Sequence, residues 1–585
     1  MRALLDISPF YRGQLFFMSD DPYFRLNSGI ENLLTDDCHI INQDQAAEAC
    51  GKVSERYELE CTDAAAKRIM ELVNCGDVDT QSFKKPFDGF DLKRFQKRCI
   101  NVMEHESNCM LQMSCGTGKT YTALFMACQR FDKGFAQKIV VWCPVALIYD
   151  WVRSFEQASN LTVATPPTNR CAADRAAWYE SNDADVWVLN YERVRTVDKE
   201  PIRKALRGTN PVFIYDEVTK VKNRKSALHK EISKLRKAVG ASSQIALTAT
   251  PIVTGPEDFY NEFRILEPNV FGRVSDFERD FTYNYGERDI WGNYIGYQNL
   301  GMMHVKAGAH VFSATKDRPE IAAEFPQKQE ILIPYELTPK MRKLYNDIYR
   351  YGKSLDPMER SGPLFMMTFM RICNMPEVLL KSHTYDDDVY GRQLFDIDQI
   401  CKDYAKDIMD ASNNRKLQIA MQKVDEIIGS GDKVIIFAQY THNCLFPLAE
   451  YLSGRNALLY TGDTSLPEKE RIKQLFKHDK EHNLLLMSDA GQVGLNFQEC
   501  GYLMHYQTPV SHAAYEQRSD RVHRLDSPFD CITVMRFMCE DTIEERIEET
   551  MLGRRQMALD MGLGGQEYEE FGSISAADSD FFCGF

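Results

Sequence analysis

The chain has 585 residues, 44% hydrophobic and 26% charged, with 85 acidic against 70 basic side chains and a net charge of −15. Such a length and mix exclude a disulfide-stapled miniprotein, a collagen-like chain and a wholly disordered one, and suggest roughly four domains at ~150 residues each. The acidic balance excludes polyanion binding over the whole surface but leaves room for a local basic groove.

Residues 1–85 carry no clear motif, although Ala64–Leu72 reads as helix. They are expected to form a small accessory region. Asp6 interrupts any signal-peptide core, and the longest apolar run, Ile139 to Tyr149, is 11 residues and contains Pro144. A membrane span needs ~18, so no membrane association is expected. The seventeen cysteines are scattered without a Cys-x-x-Cys pair. That argues against a zinc ribbon and for reduced thiols in a cytoplasm.

Two blocks of short β-rich runs then alternate with helical stretches. The first holds Ile139–Trp142, Val186–Leu189, Val212–Tyr215 and Ile245–Leu247. The second holds Val434–Phe437, Ala457–Tyr460, Leu484–Met487, Leu503–Tyr506 and Ile532–Met535. Most are apolar on successive residues, as strands covered on both faces are. The expected fold is therefore α/β, with two parallel-sheet domains. Between the blocks, roughly 259–415, the pattern is more helical, and the Met-rich Phe365–Met370 segment reads as core packing. The chain after Arg555 has no Lys or Arg and is expected to be an acidic, mobile tail.

Chemistry is concentrated at a few segments. Met113, Ser114, Cys115, Gly116, Thr117, Gly118, Lys119 and Thr120 follow the apolar start Met110–Leu111 and precede a helix over Tyr121–Arg130. Glycines let backbone N–H groups close around phosphate, Lys119 can reach the β/γ-phosphates, and the Thr120 hydroxyl can ligate Mg²⁺. Met113 stands where the general phosphate-loop pattern has its first glycine. Gln96, about twenty residues upstream, offers an amide for an adenine edge or is simply a helix-surface residue. Val212–Tyr215 ends in Asp216 and Glu217, placed to hold Mg²⁺ and to polarise the attacking water. Thr248, Ala249, Thr250 and Pro251 end another strand with hydroxyls that can couple a nucleotide site to a bound polymer. Ser488–Asn496 is a small-residue turn containing Gly491. After it, Gln517, Arg521 and Arg524 follow in a helical stretch, the arginines i,i+3 on one face. They read as arginine fingers for the γ-phosphoryl or as members of a salt-bridged surface helix.

Together these segments resemble the helicase-like ATPases of superfamily 2, and specifically the Swi/Snf-type double-stranded-DNA translocases, from about Phe87 to Met557. Asp216–Asn223 is similar to the acidic box, Leu247–Pro251 to the third motif, Met370–Pro376 to the Leu-Arg-x-Ile-Cys-Asn-His-Pro segment, and Arg536–Arg546 to the closing Thr-x-Glu-Glu helix, where Thr542 and Glu545 also suggest a capping box. Thr219 stands where the family usually has His, and Val311–Lys316 lacks the usual paired arginines.

The resemblance implies two RecA-like lobes with helical insertions that clamp ATP and Mg²⁺, and a duplex that is stepped along without sequence reading. It implies nucleotide contacts at Gln96, Ser114, Gly116, Thr117, Gly118, Lys119, Thr120, Gly491, Gln517, Arg521 and Arg524. DNA contacts are implied at Pro144, Asn190, Tyr191, Lys222, Asn223, Gln439, Gly462, Ser488 and Asn496. Eight basic residues, Lys220 through Lys237, outnumber the acids beside the box and fit a phosphate-facing surface. The expected division is an accessory region (1–85), a first lobe (86–318) with an insertion at about 256–310, a helical connection (319–410), a second lobe (411–557) and the tail (558–585). A bacterial or phage-infected cytoplasm is the expected location, with a protein partner for the tail or the N-terminal region. The competing readings are a strand-separating helicase or RNA-dependent ATPase, and a non-catalytic scaffold.

Overall fold

The computed structural model describes residues 2–7, 15–19, 46–62, 65–66, 69, 78–84, 91–104, 106–167, 170–241, 243–249, 256–288, 294–316, 318–356, 359–381, 389–489, 495–509, 512–525, 527–549 and 552. The chain divides into two compact units, Met1–Ala322 and Ala323–Phe585.

The first unit begins with a three-stranded sheet. Strands β1 (Arg2–Ile7) and β2 (Leu15–Ser19) pair antiparallel, and β3 (Glu58–Cys61) adds parallel to β1. Its main sheet holds β4 (Asn108–Met113), β5 (Ile139–Cys143), β6 (Val163–Ala164), β7 (Val186–Asn190), β8 (Val212–Asp216), β9 (Ser243–Thr248) and β10 (Val311–Ala314). The order is β10-β4-β9-β8-β5-β7-β6, and every neighbouring pair is parallel. Every residue of β4, β5, β8 and β9 is buried, which is why the centres of their sequences run apolar without alternation. Helices α1 (Arg94–Val102), α2 (Lys119–Asp132), α3 (Ile148–Ala158), α4 (Ala227–Val239) and α5 (Pro256–Leu266) belong to this unit. The α3 helix buries Ile148, Trp151, Phe155 and Ala158, a 3.6-residue stripe. The segment before α1 is tied down on the same unit. Phe83 meets Phe125 edge-on at 4.9 Å, and the Ser82 N–H donates to Asp132 at 2.9 Å.

The second unit carries β11 (Gln327–Tyr335), β12 (Val434–Phe437), β13 (Leu458–Tyr460), β14 (Leu484–Met487), β15 (Tyr502–His505) and β16 (Cys531–Cys539). Their order is β11-β16-β15-β12-β14-β13, again parallel throughout. Helices α6 (Pro339–Ser354), α7 (Gly362–Asn374), α8 (Arg415–Gly429) and α9 (His512–Ser519) accompany it. Phe365, Met366, Phe369 and Met370 of α7 lie in the core with Met341, Leu344 and Ile348 of α6, the packing role expected of the Met-rich segment.

Several elements differ from expectation. Strands β1, β2, β3, β6, β10 and β11 were not anticipated. The nine residues of β11 fall in a stretch expected to be helical; the strand is at the sheet edge and half-exposed, with its first four residues polar and the rest mostly apolar. Of Ala64–Leu72, residues 65, 66 and 69 are helical and the others lie outside the described residues. Phe87, Thr250, Pro251, Gly491 and the acidic tail also lie outside them. The Thr542 cap is shifted from a capping box. Its hydroxyl accepts from the Glu544 N–H at 3.2 Å, while Glu545 accepts from the Asp541 N–H at 2.8 Å.

Candidate functional site

In the first unit β4 ends at Met113 and the loop runs to Gly118 before α2 begins at Lys119. Met113 is fully buried as the last strand residue, so the missing glycine falls where the backbone is still extended. Gly116 and Gly118 take φ of 81° and 77°, left-handed values that other residues reach only at a cost of roughly 1–2 kcal/mol. The loop is braced from three sides. The Ser114 N–H donates to the Ala314 carbonyl at 3.1 Å, the Lys316 N–H donates to Ser114 Oγ at 3.1 Å, and Thr117 Oγ1 donates to the Ser114 carbonyl at 2.6 Å. Lys119 Nζ folds back to donate to the Met113 carbonyl at 2.9 Å, and the half-buried Thr120 sits in the first turn of α2. A helix N-terminus, a glycine-lined loop and an ammonium thus converge on one spot, a phosphate cradle.

Gln96 supports this loop from below. It is fully buried; its Nε2 donates to the Thr117 carbonyl at 2.9 Å and its Oε1 accepts from the Lys93 N–H at 2.8 Å. Each end of the amide has a protein partner and the side chain is out of reach of solvent, so an adenine contact requires it to move. A Cβ at Gly118 would lie 2.3 Å from Gln96 Nε2, so the glycine is required twice over.

β8 delivers the acid pair. Trp151 Nε1 donates to Asp216 Oδ2 at 2.8 Å, and the Tyr191 hydroxyl donates to the Asp216 carbonyl at 2.8 Å. Burial, with the charge of Glu217 second, pushes the Asp216 carboxyl up to about 6, against the Trp151 hydrogen bond and the Lys119 charge. Glu217 is left-handed at φ 53°, a conformation a glutamate adopts only under local constraint; it leaves the side chain half-buried rather than in the core. Tyr191, expected to face DNA, is buried and braces the acid strand instead. Trp151 carried no sequence signal, since its partner is 65 residues away.

Behind the acids, Lys222 pairs with Asp258 at 3.3 Å. Glu262 is fully buried, and neither of its oxygens has a hydrogen-bond partner among the described residues. Burial, then the Asp258 charge, pushes its carboxyl well above the usual range. In the basic stretch Lys220, Lys225, Lys230, Lys234 and Lys237 are exposed, and Lys234 pairs with Glu231 at 2.9 Å.

The first unit's other expected DNA residues emerge at strand ends. Half-buried Pro144 follows β5, and Asn190 ends β7 with its Oδ1 accepting from the Arg193 N–H at 3.2 Å. Exposed Asn223 shapes the turn after the acidic box by accepting from the Lys225 N–H at 3.0 Å.

In the second unit, exposed Gln439 follows β12, exposed Gly462 follows β13, and buried Ser488 follows β14. The N–H groups of Gln439 and Tyr440 both donate to Gln507 Oε1, at 2.9 and 3.1 Å. Asn496 is exposed and accepts from the Gln498 N–H at 3.3 Å. The arginines require a correction. α9 ends at Ser519, so Arg521 and Arg524 do not share a helical face. Beyond it the backbone tightens to i→i−3 bonds, the Arg521 N–H donating to the Arg518 carbonyl and the Val522 N–H to the Ser519 carbonyl, and the chain passes into turns. The two guanidiniums are nonetheless brought together: Arg521 Nη1 donates to the Leu495 carbonyl at 3.1 Å, and Arg524 Nη2 donates to the same oxygen. Gln517 contributes its carbonyl to Arg521 Nε at 2.9 Å.

The Met370–Pro376 segment, whose role was not legible, closes a buried network. Lys416 Nζ, fully buried, donates to Asn374 Oδ1 and to Glu544 Oε1, each at 2.7 Å. The Tyr335 hydroxyl and the Cys539 N–H donate to the other Glu544 oxygen at 3.1 Å each. The Asn374 carbonyl accepts from Asn414 Nδ2 at 2.9 Å and the Tyr506 hydroxyl at 3.0 Å.

A phosphate cradle beside a strand-borne acid pair defines a nucleotide-hydrolysing enzyme of the helicase-like class. Residues 92–383 match the SNF2-related domain, and residues 419–526 match the helicase conserved C-terminal domain. The chain belongs to the SNF2-related, SWI/SNF-type helicase-like ATPases, and as such is a DNA-dependent ATPase. It is similar to the uncharacterized ATP-dependent helicase YqhH of Bacillus subtilis, 24% identical over 451 residues, which cover 76% of this chain and 74% of that protein. It is similar too to the human SWI/SNF-related matrix-associated actin-dependent regulator of chromatin subfamily A member 1, 24% identical over 79% of this chain, of which it spans 42%. Among solved structures, the SWI2/SNF2 ATPase core of Sulfolobus solfataricus in complex with dsDNA aligns over 85% of this chain and 96% of that one, at 18% identity and a TM-score of 0.35. No described helix is long and apolar enough to cross a membrane.

Proposed function

We propose that this protein uses ATP to move along double-stranded DNA and to displace or remodel what is bound there. The observation that carries this reading is that a braced phosphate loop and the Asp216–Glu217 pair lie at the C-terminal ends of parallel strands β4 and β8. In open parallel sheets ligands bind at that edge. Lys119 holds the β/γ-phosphates, Glu217 polarises the attacking water, and Arg521 and Arg524 neutralise charge on the transferred phosphoryl. Pro144, Asn190, Asn223, Gln439, Gly462 and Asn496 follow strands at the same edge of their respective sheets and meet the DNA backbone there. Contacts of this kind position the protein and carry no sequence information.

The site suits Mg²⁺. Buried Asp216 is held by the Trp151 and Glu217 N–H groups, which leaves carboxylate lone pairs for a ligand, and a cation would offset the burial and the Glu217 charge that raise its carboxyl. Among the described residues no group of three or more His, Cys, Asp or Glu side chains could hold a metal. Thr120 and Asp216 would thus hold the ion with nucleotide phosphates and water, the usual Mg²⁺ arrangement; it would supply charge neutralisation at the phosphates.

Steady-state hydrolysis with duplex DNA, single-stranded DNA and RNA in parallel tests the reading. Duplex is expected to stimulate most, and a triplex-displacement assay to show movement. Efficient unwinding of a plain tailed duplex would replace the translocase reading by a strand-separating one. Absence of hydrolysis would leave a binding scaffold.

A further inference from the structure

α5 carries two carboxyl groups that the hydrolytic chemistry above does not use. Asp258 and Glu262 are four residues apart, hence on one face of the helix. Both are buried, at 4% and 0% exposure. Asp258 has a cation, since Lys222 Nζ reaches its Oδ2 at 3.3 Å. Glu262 differs: neither of its oxygens has a hydrogen-bond partner among the described residues. Three charged groups face it, Asp258 from its own helix, Lys222 from the turn after the acidic box and Glu217 from the end of β8, and two of the three are negative. A carboxylate ionised in such a place, with no donor to hold it, costs far more than a protonated one. Burial, then the Asp258 charge, accordingly keeps Glu262 as the neutral acid.

A neutral carboxylic acid has one O–H to donate, and here that donor is idle, which is costly for a buried group. Side chains four apart on a helix start ~5–6 Å from each other at Cβ, so a change of rotamer brings the Glu262 O–H onto the Asp258 carboxylate. Lys222 is the member free to leave, with its side chain still 25% exposed, and it is the one expected to meet a DNA phosphate.

We propose that Glu262 is a positioning residue whose O–H takes the place of the ammonium on Asp258 when a DNA phosphate draws Lys222 away. The inference rests on the translocase reading above and on the Lys222 contact within it. No proton is transferred in the exchange. Asp258 stays ionised, Glu262 keeps its proton, Lys222 keeps its charge, and the buried anion has a donor before and after. An O–H on a carboxylate is among the strong, charge-assisted hydrogen bonds. Without it, the departure of Lys222 strands Asp258 in the core, the heavy cost of breaking a buried pair.

The test uses the full chain and the variants Glu262→Gln, Glu262→Leu and Lys222→Gln. Duplex affinity is measured from low to moderate salt, and the thermal midpoint is taken for each nucleotide-free protein. Glutamine keeps a neutral donor; leucine removes it. Glu262→Leu should bind duplex roughly tenfold more weakly at ~0.1 M salt, with a salt slope smaller by about 0.9, one phosphate contact. Its thermal midpoint should nonetheless rise, because an unpaired buried polar group is gone. Glu262→Gln should keep the wild-type slope. Lys222→Gln should lose the same slope increment, and adding Glu262→Leu to it should remove nothing more. General damage to the fold would lower stability and affinity together and would not be rescued by glutamine. Equal slopes in wild type and Glu262→Leu overturn this inference alone, as does a slope lost equally in Glu262→Gln. Slower hydrolysis by Glu262→Leu without DNA, at unchanged slope, would place its action on Glu217 and overturn the inference as well. An unchanged slope in Lys222→Gln would remove the exchange and leave the translocase reading standing. Wild-type protein that does not bind duplex overturns both.

Discussion

Replacing Lys416 by Met probes the network that the Met370–Pro376 segment closes. The ammonium is fully buried, makes two 2.7 Å charge-assisted bonds, and lies 5.0 Å from the Tyr506 ring centre and 5.8 Å from that of Phe537. Methionine keeps much of the aliphatic stem, so cavity formation is minor. What is lost is the counter-charge of Glu544, which is only 7% exposed. Removing one partner of a buried pair costs about 3–5 kcal/mol, because the remaining charge is stranded. For a unit of this size, about 2–4 °C per kcal/mol translates that into a fall of roughly 6–20 °C in the thermal midpoint. Calorimetry of the full chain reads it directly. Pairing the change with Glu544→Gln separates stranding from general damage, since the double variant should be less destabilised than the sum of the two singles, by about 1–3 kcal/mol. A loss under about 1 kcal/mol for Lys416→Met, or strict additivity, would refute the idea that this pair holds the segment in place.

Other outcomes follow from the first unit. Glu217→Gln should keep nucleotide affinity while turnover with saturating duplex falls about 10²–10⁴-fold; near-normal turnover would remove Glu217 from the reaction. Gly118→Ala should abolish nucleotide binding by titration, because its Cβ would fall 2.3 Å from Gln96 Nε2 at a φ of +77°. Asp216, pushed up to about 6, binds a proton more tightly folded than unfolded, where the value is about 3.9. The nucleotide-free protein should therefore gain stability from this group as pH falls from 7 toward about 4. Asp216→Asn should raise the thermal midpoint at pH 7.5, lose that advantage near pH 4, and hydrolyse no ATP.

Strands such as β5, β8, β12 and β14 were legible because both of their faces are covered, and burial on every residue writes an uninterrupted apolar run. β11 was not, because an edge strand pairs on one side only and its exposed first half, Gln327–Glu330, is wholly polar. The same division holds at the site. Lys119, Asp216 and Glu217 announce themselves because the chemistry fixes their residue types at the ends of local elements. Trp151 on Asp216, Gln507 on the Gln439 loop and Lys416 on Glu544 are contacts across 65, 68 and 128 residues, and no local pattern encodes them. Arg521 and Arg524 show the opposite hazard. Their i,i+3 spacing suggests a helix, but the helix ends at Ser519 and the backbone tightens to i→i−3 bonds at Arg521 and Val522.

The partners of the cations order how readily each can receive an anion. Lys119 rests on the Met113 carbonyl, and Arg521 on the Leu495 and Gln517 carbonyls. These are neutral acceptors, and a hydrogen bond to an anion is about twice as strong as one to a neutral group. A phosphate arriving at such a residue therefore displaces its carbonyl with a net gain, while the side chain has meanwhile been kept near its working position. Lys222 stands apart, because its partner is the Asp258 carboxylate, itself next in influence after burial on Glu262. A phosphate must there compete with charge for charge, and success would leave Asp258 buried without the ammonium beside an already unfavourable carboxyl. The contact expected between Lys222 and DNA is thus the one whose formation most perturbs the ground behind Glu217. Exposed Lys220 and Lys225, on either side, can meet phosphate without that penalty.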